Sequence, residues 1–354
     1  MVTTIVKQIV TGISLGLLLI VIIACSNASI SQENRPHHHT NSGFQNLFDV
    51  EPASSKGAMF ILQRIWNSTF PPEIPEGHII PEPDAIQTYY TLEDQNSLTW
   101  LGHSTFLLKL EGKTILTDPF LLERASPVSF VGGLARFAPP GISIKNLPPI
   151  DIILISHNHY DHLDLHTLDA LPNKQKTQVF VPLGLKTAVT ELGYKNIHEK
   201  DWYQKVSFNG LDITALPAVH DSGRGLHDKN ETLWASWAIT SNSKNYYFAG
   251  DTGYSPLFKE IGNKFGSFDL AIVPIGAYAP RELMWMSHVT PEEAIAIGKD
   301  VNAKTVVGGH WGTIDLSEEP LWEPPIRFLA SAKNEGYDEN NSWIMKIGES
   351  RVIN

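Results

Sequence analysis

Hydrophobic and polar positions divide the chain of 354 residues into three stretches. Residues 13–24 (ISLGLLLIVIIA) are an almost unbroken apolar run preceded by Lys7. That run is short for a membrane span and has the length of a signal-peptide core. Residues 26–56 are rich in Ser, Asn, Gln and Pro without an apolar period, which predicts a flexible tether. Residues 57–72 place Met59, Leu62, Ile65 and Trp66 at helical spacing before Pro71 and Pro72. The spacing predicts a helix docked on the domain, the alternative being an interfacial helix that dips into lipid. A Pro-rich connection then runs to about residue 88. From Leu98 onward short apolar runs alternate with brief turns. They predict strands over 98–101, 105–110, 114–117, 152–155, 178–181, 212–216, 233–239, 246–248, 270–273, 305–307 and 343–347. Helical spacing falls at about 161–171, 184–192, 256–264, 291–300 and 323–334, the fourth opened by Thr290 as cap and Pro291 in its first turn. Many strands with intermittent helices imply an α/β domain of stacked sheets and outer helices.

Charge narrows the partners. With 27 basic against 38 acidic residues and no basic block, the chain lacks what a phosphate-backbone ligand requires, which argues against nucleic-acid binding. Its one cysteine, Cys25, directly follows Ala24 at the end of the apolar run. That junction resembles a bacterial lipoprotein cleavage site. The expected organisation is a signal peptide at 1–24, a lipidated Cys25 with its tether over 25–56, and a single folded domain over 57–354. The implied location is the bacterial cell envelope, on the outer membrane facing the periplasm where the host has two membranes. The alternative keeps Cys25 inside an uncleaved anchor helix. His37, His38 and His39 fall within the tether and are expected to be solvated, outside any working site.

The chemistry concentrates at strand ends. The continuous aliphatic run 152–155, as expected of a strand buried on both faces, leads into His157-Asn158-His159-Tyr160-Asp161-His162. Extended backbone aims His157 and His159 the same way, and a tight turn into the next helix lets Asp161 and His162 face a second point. One zinc ion wants about four ligands, so this hexapeptide needs partners. Three more runs each end on a ligand type: His220 after LPAV, Asp251 in FAGDTGY and His310 in VVGGHWGT. His288, just before the helix opened by Thr290, is a candidate catalytic group, either contacting the reacting group or protonating a leaving group, with a packing role as the alternative. His103 and Asp118 are candidates to brace the ligands by hydrogen bonding. His78, His166, His198 and His227 have no convergent partners in the sequence and are expected to be ordinary surface or core residues. Tyr278, Trp285 and Met286 are candidates to line an apolar groove, with plain packing as the alternative.

HNHYDH followed by separate His, Asp and His resembles the metallo-β-lactamase superfamily, whose fold is a four-layer αβ/βα sandwich. The resemblance implies one metal on His157, His159 and His220, a second on Asp161, His162 and His310, and Asp251 shared. The stretches TWLGHSTF (99–106), ILTDPFLLERASP (115–127), FAGDTGYSPLFKEIG (248–262) and HWGT (310–313) are similar, over about residues 97–330, to N-acylphosphatidylethanolamine-hydrolysing phospholipases D. This implies two Zn²⁺, a phospholipid substrate and phosphodiester hydrolysis to N-acylethanolamine and phosphatidic acid, with Asp161 also orienting the nucleophile. An imidazole-rich set without thiolate favours zinc while leaving other divalent metals open. The other readings are a hydrolase of an ester, thioester, lactone or soluble phosphodiester, and a lipid-anchored metal-scavenging protein.

Overall fold

A computed structural model describes residues 35–48, 57–67, 70–127 and 132–353. Sixteen strands follow in chain order among them: β1 (Ser97–Gly102), β2 (Thr105–Leu110), β3 (Lys113–Thr117), β4 (Arg124–Ala125), β5 (Leu134–Ala135), β6 (Ile152–Leu154), β7 (Gln178–Pro182), β8 (Asn196–Lys200), β9 (Lys205–Phe208), β10 (Leu211–Leu216), β11 (Ser236–Thr240), β12 (Asn245–Phe248), β13 (Phe268–Pro274), β14 (Ala303–Gly309), β15 (Ser342–Trp343) and β16 (Ser350–Val352). They build two seven-stranded sheets, ordered β16-β1-β2-β3-β6-β7-β8 and β15-β14-β13-β12-β11-β10-β9, and a small β4-β5 ladder. In each sheet an antiparallel portion passes into a parallel one, at β3–β6 in the first and at β12–β13 in the second.

Period-two alternation explains the layering. Phe106, Leu108, Ile152, Leu154 and Phe180 face the second sheet and share a core with Ile213, Trp237 and Val306. Their neighbours Leu107, Ile153, Val179 and Val181 point the opposite way, onto helix residues Ala85, Tyr89, Leu168 and Val189. Helices Leu257–Phe265, Pro291–Asp300 and Pro324–Asn334 bring Phe258, Ile261, Ile295 and Phe328 to the second sheet. The result is the expected α/β sandwich of two sheets between helices. Each large aliphatic or aromatic side chain buried this way contributes about 1.5–3 kcal/mol. The Trp237 indole N–H donates to the Ile155 carbonyl at 2.9 Å, joining the sheets beside the site-bearing loop.

Several expectations need correction. Helix Glu82–Thr91 overlaps the expected Pro-rich connection, because Pro83 falls in the first turn, where proline is tolerated, and Ala85 and Tyr89 bury one face. Strands β8 and β9 are half-exposed, and their polar sequences NIHEK and KVSF hide them from an apolar-run reading. The helix expected from residue 161 starts at Leu165, since the Asp164 carboxylate caps it by accepting from the His166 N–H at 3.0 Å. Strand 343–347 shortens to β15, and Ile347 instead forms an isolated bridge with Ile79.

Residues 35–48 differ most from expectation. Read as tether, they form a strap on the domain. His38 is buried and His39 half-buried, because both imidazoles bond the Asp201 carboxylate, at 2.6 and 2.8 Å. The Phe44 N–H donates to the Asn230 carbonyl at 2.8 Å. Cys25, the signal segment 1–24 and the rest of the tether lie outside the described residues. No helix among the described residues is long and apolar enough to cross a membrane.

Candidate metal centre

All seven residues expected to ligate metal converge where β6, β10, β12 and β14 end. The first cluster is His157, His159 and His220. His157 Nε2 lies 2.9 Å from His159 Nδ1, and His220 Nε2 lies 3.2 Å and 3.3 Å from those two atoms. Around the second point stand His103, Asp161, His162 and His310. Asp251 Oδ2 is 3.0 Å from His162 Nε2, 3.0 Å from His310 Nε2 and 4.0 Å from His220 Nε2. Its carboxylate therefore stands between the clusters, as a shared ligand would.

The hydrogen bonds around the clusters settle which ring nitrogens face inward. The Asp118 carboxylate accepts from His162 Nδ1 at 2.7 Å, from the Ser156 N–H at 2.7 Å and from Ser156 Oγ at 2.5 Å. With its own proton given to Asp118, Ser156 Oγ accepts from His157 Nδ1 at 2.9 Å. His220 Nδ1 donates to the Ser287 carbonyl at 3.0 Å. Three imidazoles thus carry their protons on Nδ1 and turn Nε2 lone pairs toward the centre. The buried atoms His162 Nε2, His310 Nε2, Asp251 Oδ1 and His288 Nδ1 have no hydrogen-bond partner. Inward lone pairs this close repel one another, and buried polar atoms without partners are costly, unless cations lie among them. Nitrogen separations near 3.2 Å match ligands about 2.0–2.1 Å from a tetrahedral zinc. The donors fit two zinc-type ions.

Without metal, the second cluster holds protons where cations would sit. Burial alone would raise the Asp251 and Asp161 carboxyls, but the His162 imidazole and its neighbours outweigh it and hold both well below the usual range. Burial alone would lower His162, but Asp251, Asp161 and Asp118 raise it well above the ordinary value. His310 responds the same way to Asp251 and Asp161, reaching about 9. Burial dominates elsewhere and keeps His157 and His288 neutral, with His220 at about 4 and His103 at about 3.

His103 and Asp118 both lie against the clustered residues, and further residues join them. His103 Nε2 donates to Asp161 at 2.8 Å, and its carbonyl accepts the His310 N–H at 3.0 Å. His103, Asp118 and His310 all have positive φ, at 54°, 32° and 59°. Such backbone is strained for non-glycine residues and is typical of functional sites. His288 is buried beside both clusters, its Nδ1 3.9 Å from Asp251 and its ring 5.2 Å from His310. His78 braces the turn after His310 by bonding the Gly312 carbonyl at 2.8 Å. Tyr278 is packed, donating to Glu323 at 2.8 Å, so it does not line an open groove, whereas Trp285 is 44% exposed.

Sequence reasoning passed over Ser156, Arg224 and Asn46. Ser156 sits next to His157, so its position was a usable signal. Arg224 clamps the motif loop by donating to the Asn158 and Leu163 carbonyls, both at 2.7 Å, with its guanidinium 3.8 Å above the Tyr160 ring. The Asn46 amide accepts from the His220 N–H at 3.1 Å and donates to the His220 carbonyl at 2.9 Å. Nothing in the sequence links residues 46 and 220.

Comparison with known proteins agrees with this geometry. Residues 113–311 match the family model described as a beta-lactamase superfamily domain. The chain is 42% identical over 238 residues to N-acyl-phosphatidylethanolamine-hydrolyzing phospholipase D 1 of Caenorhabditis elegans, covering 64% of this chain and 67% of that protein. It is 37% identical over 266 residues to the mitochondrial N-acyl-phosphatidylethanolamine-hydrolyzing phospholipase D of Saccharomyces cerevisiae, covering 72% of this chain and 55% of that protein. The chain thus spans between about half and two thirds of these relatives' length. The crystal structure of an isothiocyanate hydrolase from Delia radicum gut bacteria superposes with a TM-score of 0.58 at 21% identity, over 72% of this chain and 98% of that one. That likeness concerns the fold alone.

Proposed function

The chain belongs to the metallo-β-lactamase superfamily and is a metal-dependent hydrolase, and we propose that it hydrolyses N-acylphosphatidylethanolamine-type phospholipids to N-acylethanolamine and phosphatidic acid. The observation that carries the substrate class is the 42% identity, over 238 residues, to a phospholipase of that name. The buried, imidazole-rich donor set supports it, since it suits an anionic phosphodiester once cations are bound. Zinc held there by His157, His159 and His220, and by Asp161, His162, His310 and Asp251, supplies Lewis acidity and neutralises phosphate charge.

The chain's own residues do the rest. Asp161, held by the His103 Nε2–H, would orient the attacking water. His288 is neutral, and its Nδ1 is unpartnered inside the site. At that free Nδ1 it would take up the proton released by the attacking water and pass it to the departing oxygen of the N-acylethanolamine. Water's oxygen goes to phosphorus, and its proton ends on the released N-acylethanolamine. The buried walls around His220 and His310 limit bulk water, which strengthens each of these interactions.

Lipidation at Cys25 would hold the domain 57–354, with its strap, at the membrane that supplies substrate; Cys25-dependent incorporation of a palmitate analogue tests that anchor. For the reaction, purified and metal-analysed protein is given N-acylated phospholipids, and products are identified by mass spectrometry. Phosphatidic acid and N-acylethanolamine in equal amounts are expected. Fatty acid and a lysophospholipid instead, or turnover only of lactones or soluble phosphodiesters, would overturn the assignment.

A further inference from the structure

The strap carries a second group of metal-ligating side chains, away from the centre. His38 Nε2 lies 2.6 Å from one oxygen of Asp201, and His39 Nε2 lies 2.8 Å from the other. Two imidazoles from the strap therefore hold one carboxylate of the domain, across 163 and 162 residues of sequence. Both rings are set before any ligand arrives. His38 stacks on Trp202 with centroids 4.1 Å apart, and Phe44 meets His39 edge-on at 5.1 Å. The Trp202 N–H also donates to Asp201, at 2.8 Å. His38 is almost fully buried, while 21% of the His39 side chain and 13% of Asp201 remain open to solvent.

We propose that His38, His39 and Asp201 bind a zinc-class divalent ion that clips the strap to the hydrolase domain. Two imidazoles and one carboxylate favour zinc, nickel or copper over magnesium or calcium, which prefer all-oxygen sites. The open side of His39 and Asp201 leaves water to complete four-coordination. On binding, each imidazole moves its proton from Nε2 to Nδ1 and gives the Nε2 lone pair to the metal. Asp201 then exchanges two N–H donors for the cation. The clip has a consequence for the main centre. Its strap continues to Asn46, whose amide holds the backbone of His220 on both sides.

The test uses the full chain at two buffered free-zinc levels, the lower filling only the main centre. Zinc per chain is counted by mass spectrometry, and hydrogen exchange is followed over residues 35–48. Wild type should hold one equivalent more than His38→Gln/His39→Gln and than Asp201→Asn at the higher level. Its strap should exchange severalfold more slowly there, with magnesium unable to substitute. Equal zinc in wild type and both variants would reduce the cluster to a hydrogen-bonded clasp and overturn the proposal. Extra zinc without slower strap exchange would overturn it too, because the ion would then sit elsewhere. Should the variants loosen the strap by themselves, the wild-type titration alone decides, through whether strap protection follows the additional equivalent.

Discussion

Replacing Asp118 by Asn tests the hydrogen-bond logic of the centre without removing a ligand. The Asp118 carboxylate is fully buried and accepts from His162 Nδ1 at 2.7 Å, while Ser156 Oγ donates to the same oxygen at 2.5 Å. In Asp118→Asn an NH₂ group takes the place of that oxygen and faces two donors. The opposite amide orientation would press the NH₂ onto the Ser156 backbone N–H, so His162 relieves the donor–donor clash by moving its proton from Nδ1 to Nε2. That proton blocks the nitrogen 3.0 Å from Asp251, the one a metal needs. Losing a charge-assisted bond of this kind costs about 1.5–3 kcal/mol, or roughly 10- to 150-fold in an equilibrium constant. Lost outer-shell partners of metal ligands typically weaken affinity about 10- to 100-fold, so the two routes agree. The fold should survive, since Asn is isosteric and burial already pushes the Asp118 carboxyl up. Competition against a chromophoric chelator reads zinc affinity, and circular dichroism confirms folding. Affinity for the weaker-bound zinc should fall about 10- to 100-fold, with activity partly restored by excess zinc. A folded Asp118→Asn protein whose zinc affinity stays within about twofold of wild type would refute the tautomer argument.

Four further outcomes are expected. Asn46→Ala removes both bonds to the His220 backbone, about 0.5–1.5 kcal/mol each, so zinc loss into chelator should speed up roughly 5- to 150-fold while KM stays near wild type. Unchanged zinc release would show that the strap does not position His220. His288→Ala should lower kcat by about 100-fold or more with both zinc equivalents retained; loss of zinc instead would make His288 a ligand. Gly276→Ala puts a Cβ 2.2 Å from the His310 carbonyl oxygen, a backbone atom that cannot move aside, so the variant should lose roughly 1–3 kcal/mol in denaturant unfolding together with zinc. In metal-stripped protein, His162 and His310 titrate above their unfolded value of 6.5, His310 at about 9, so what they add is full below pH 6.5 and is lost as pH rises toward 9. His103 and His220, at about 3 and about 4, take up protons in the unfolded chain first, so stability also falls as pH drops below 6.5. The metal-free melting temperature should therefore peak near pH 6.5, and zinc should abolish the alkaline decline; a metal-free melting temperature that climbs steadily to pH 9 would contradict this.

The clustered candidate ligands were readable because metal chemistry demands scarce residue types at places where the chain turns. His157 and His159 share a direction through the period of an extended strand end, and His220, Asp251 and His310 each end a recognisable apolar run. The layers were readable for a similar reason. Ile152, Ile153 and Leu154 must be buried on both faces, so helices had to cover the outer one. Polar elements escaped. The edge strand β8 offers NIHEK, in which no apolar period survives, and its pairing with β7 is a property of the sheet.

Local pattern, then, determined the element types, the sandwich and the seven candidate ligands, because side-chain periodicity and ligand chemistry act over a few residues. Tertiary structure alone decided which nitrogen of each imidazole faces inward. That choice belongs to partners such as Asp118 for His162, 44 residues away, and the Ser287 carbonyl for His220, 67 residues away. It also turned residues 35–48 from an expected tether into a strap. The physical reason is that His38 and Asn46 gain partners only where folding brings Asp201 and His220 beside them. Composition records what a segment could bury, and contact order decides what it meets.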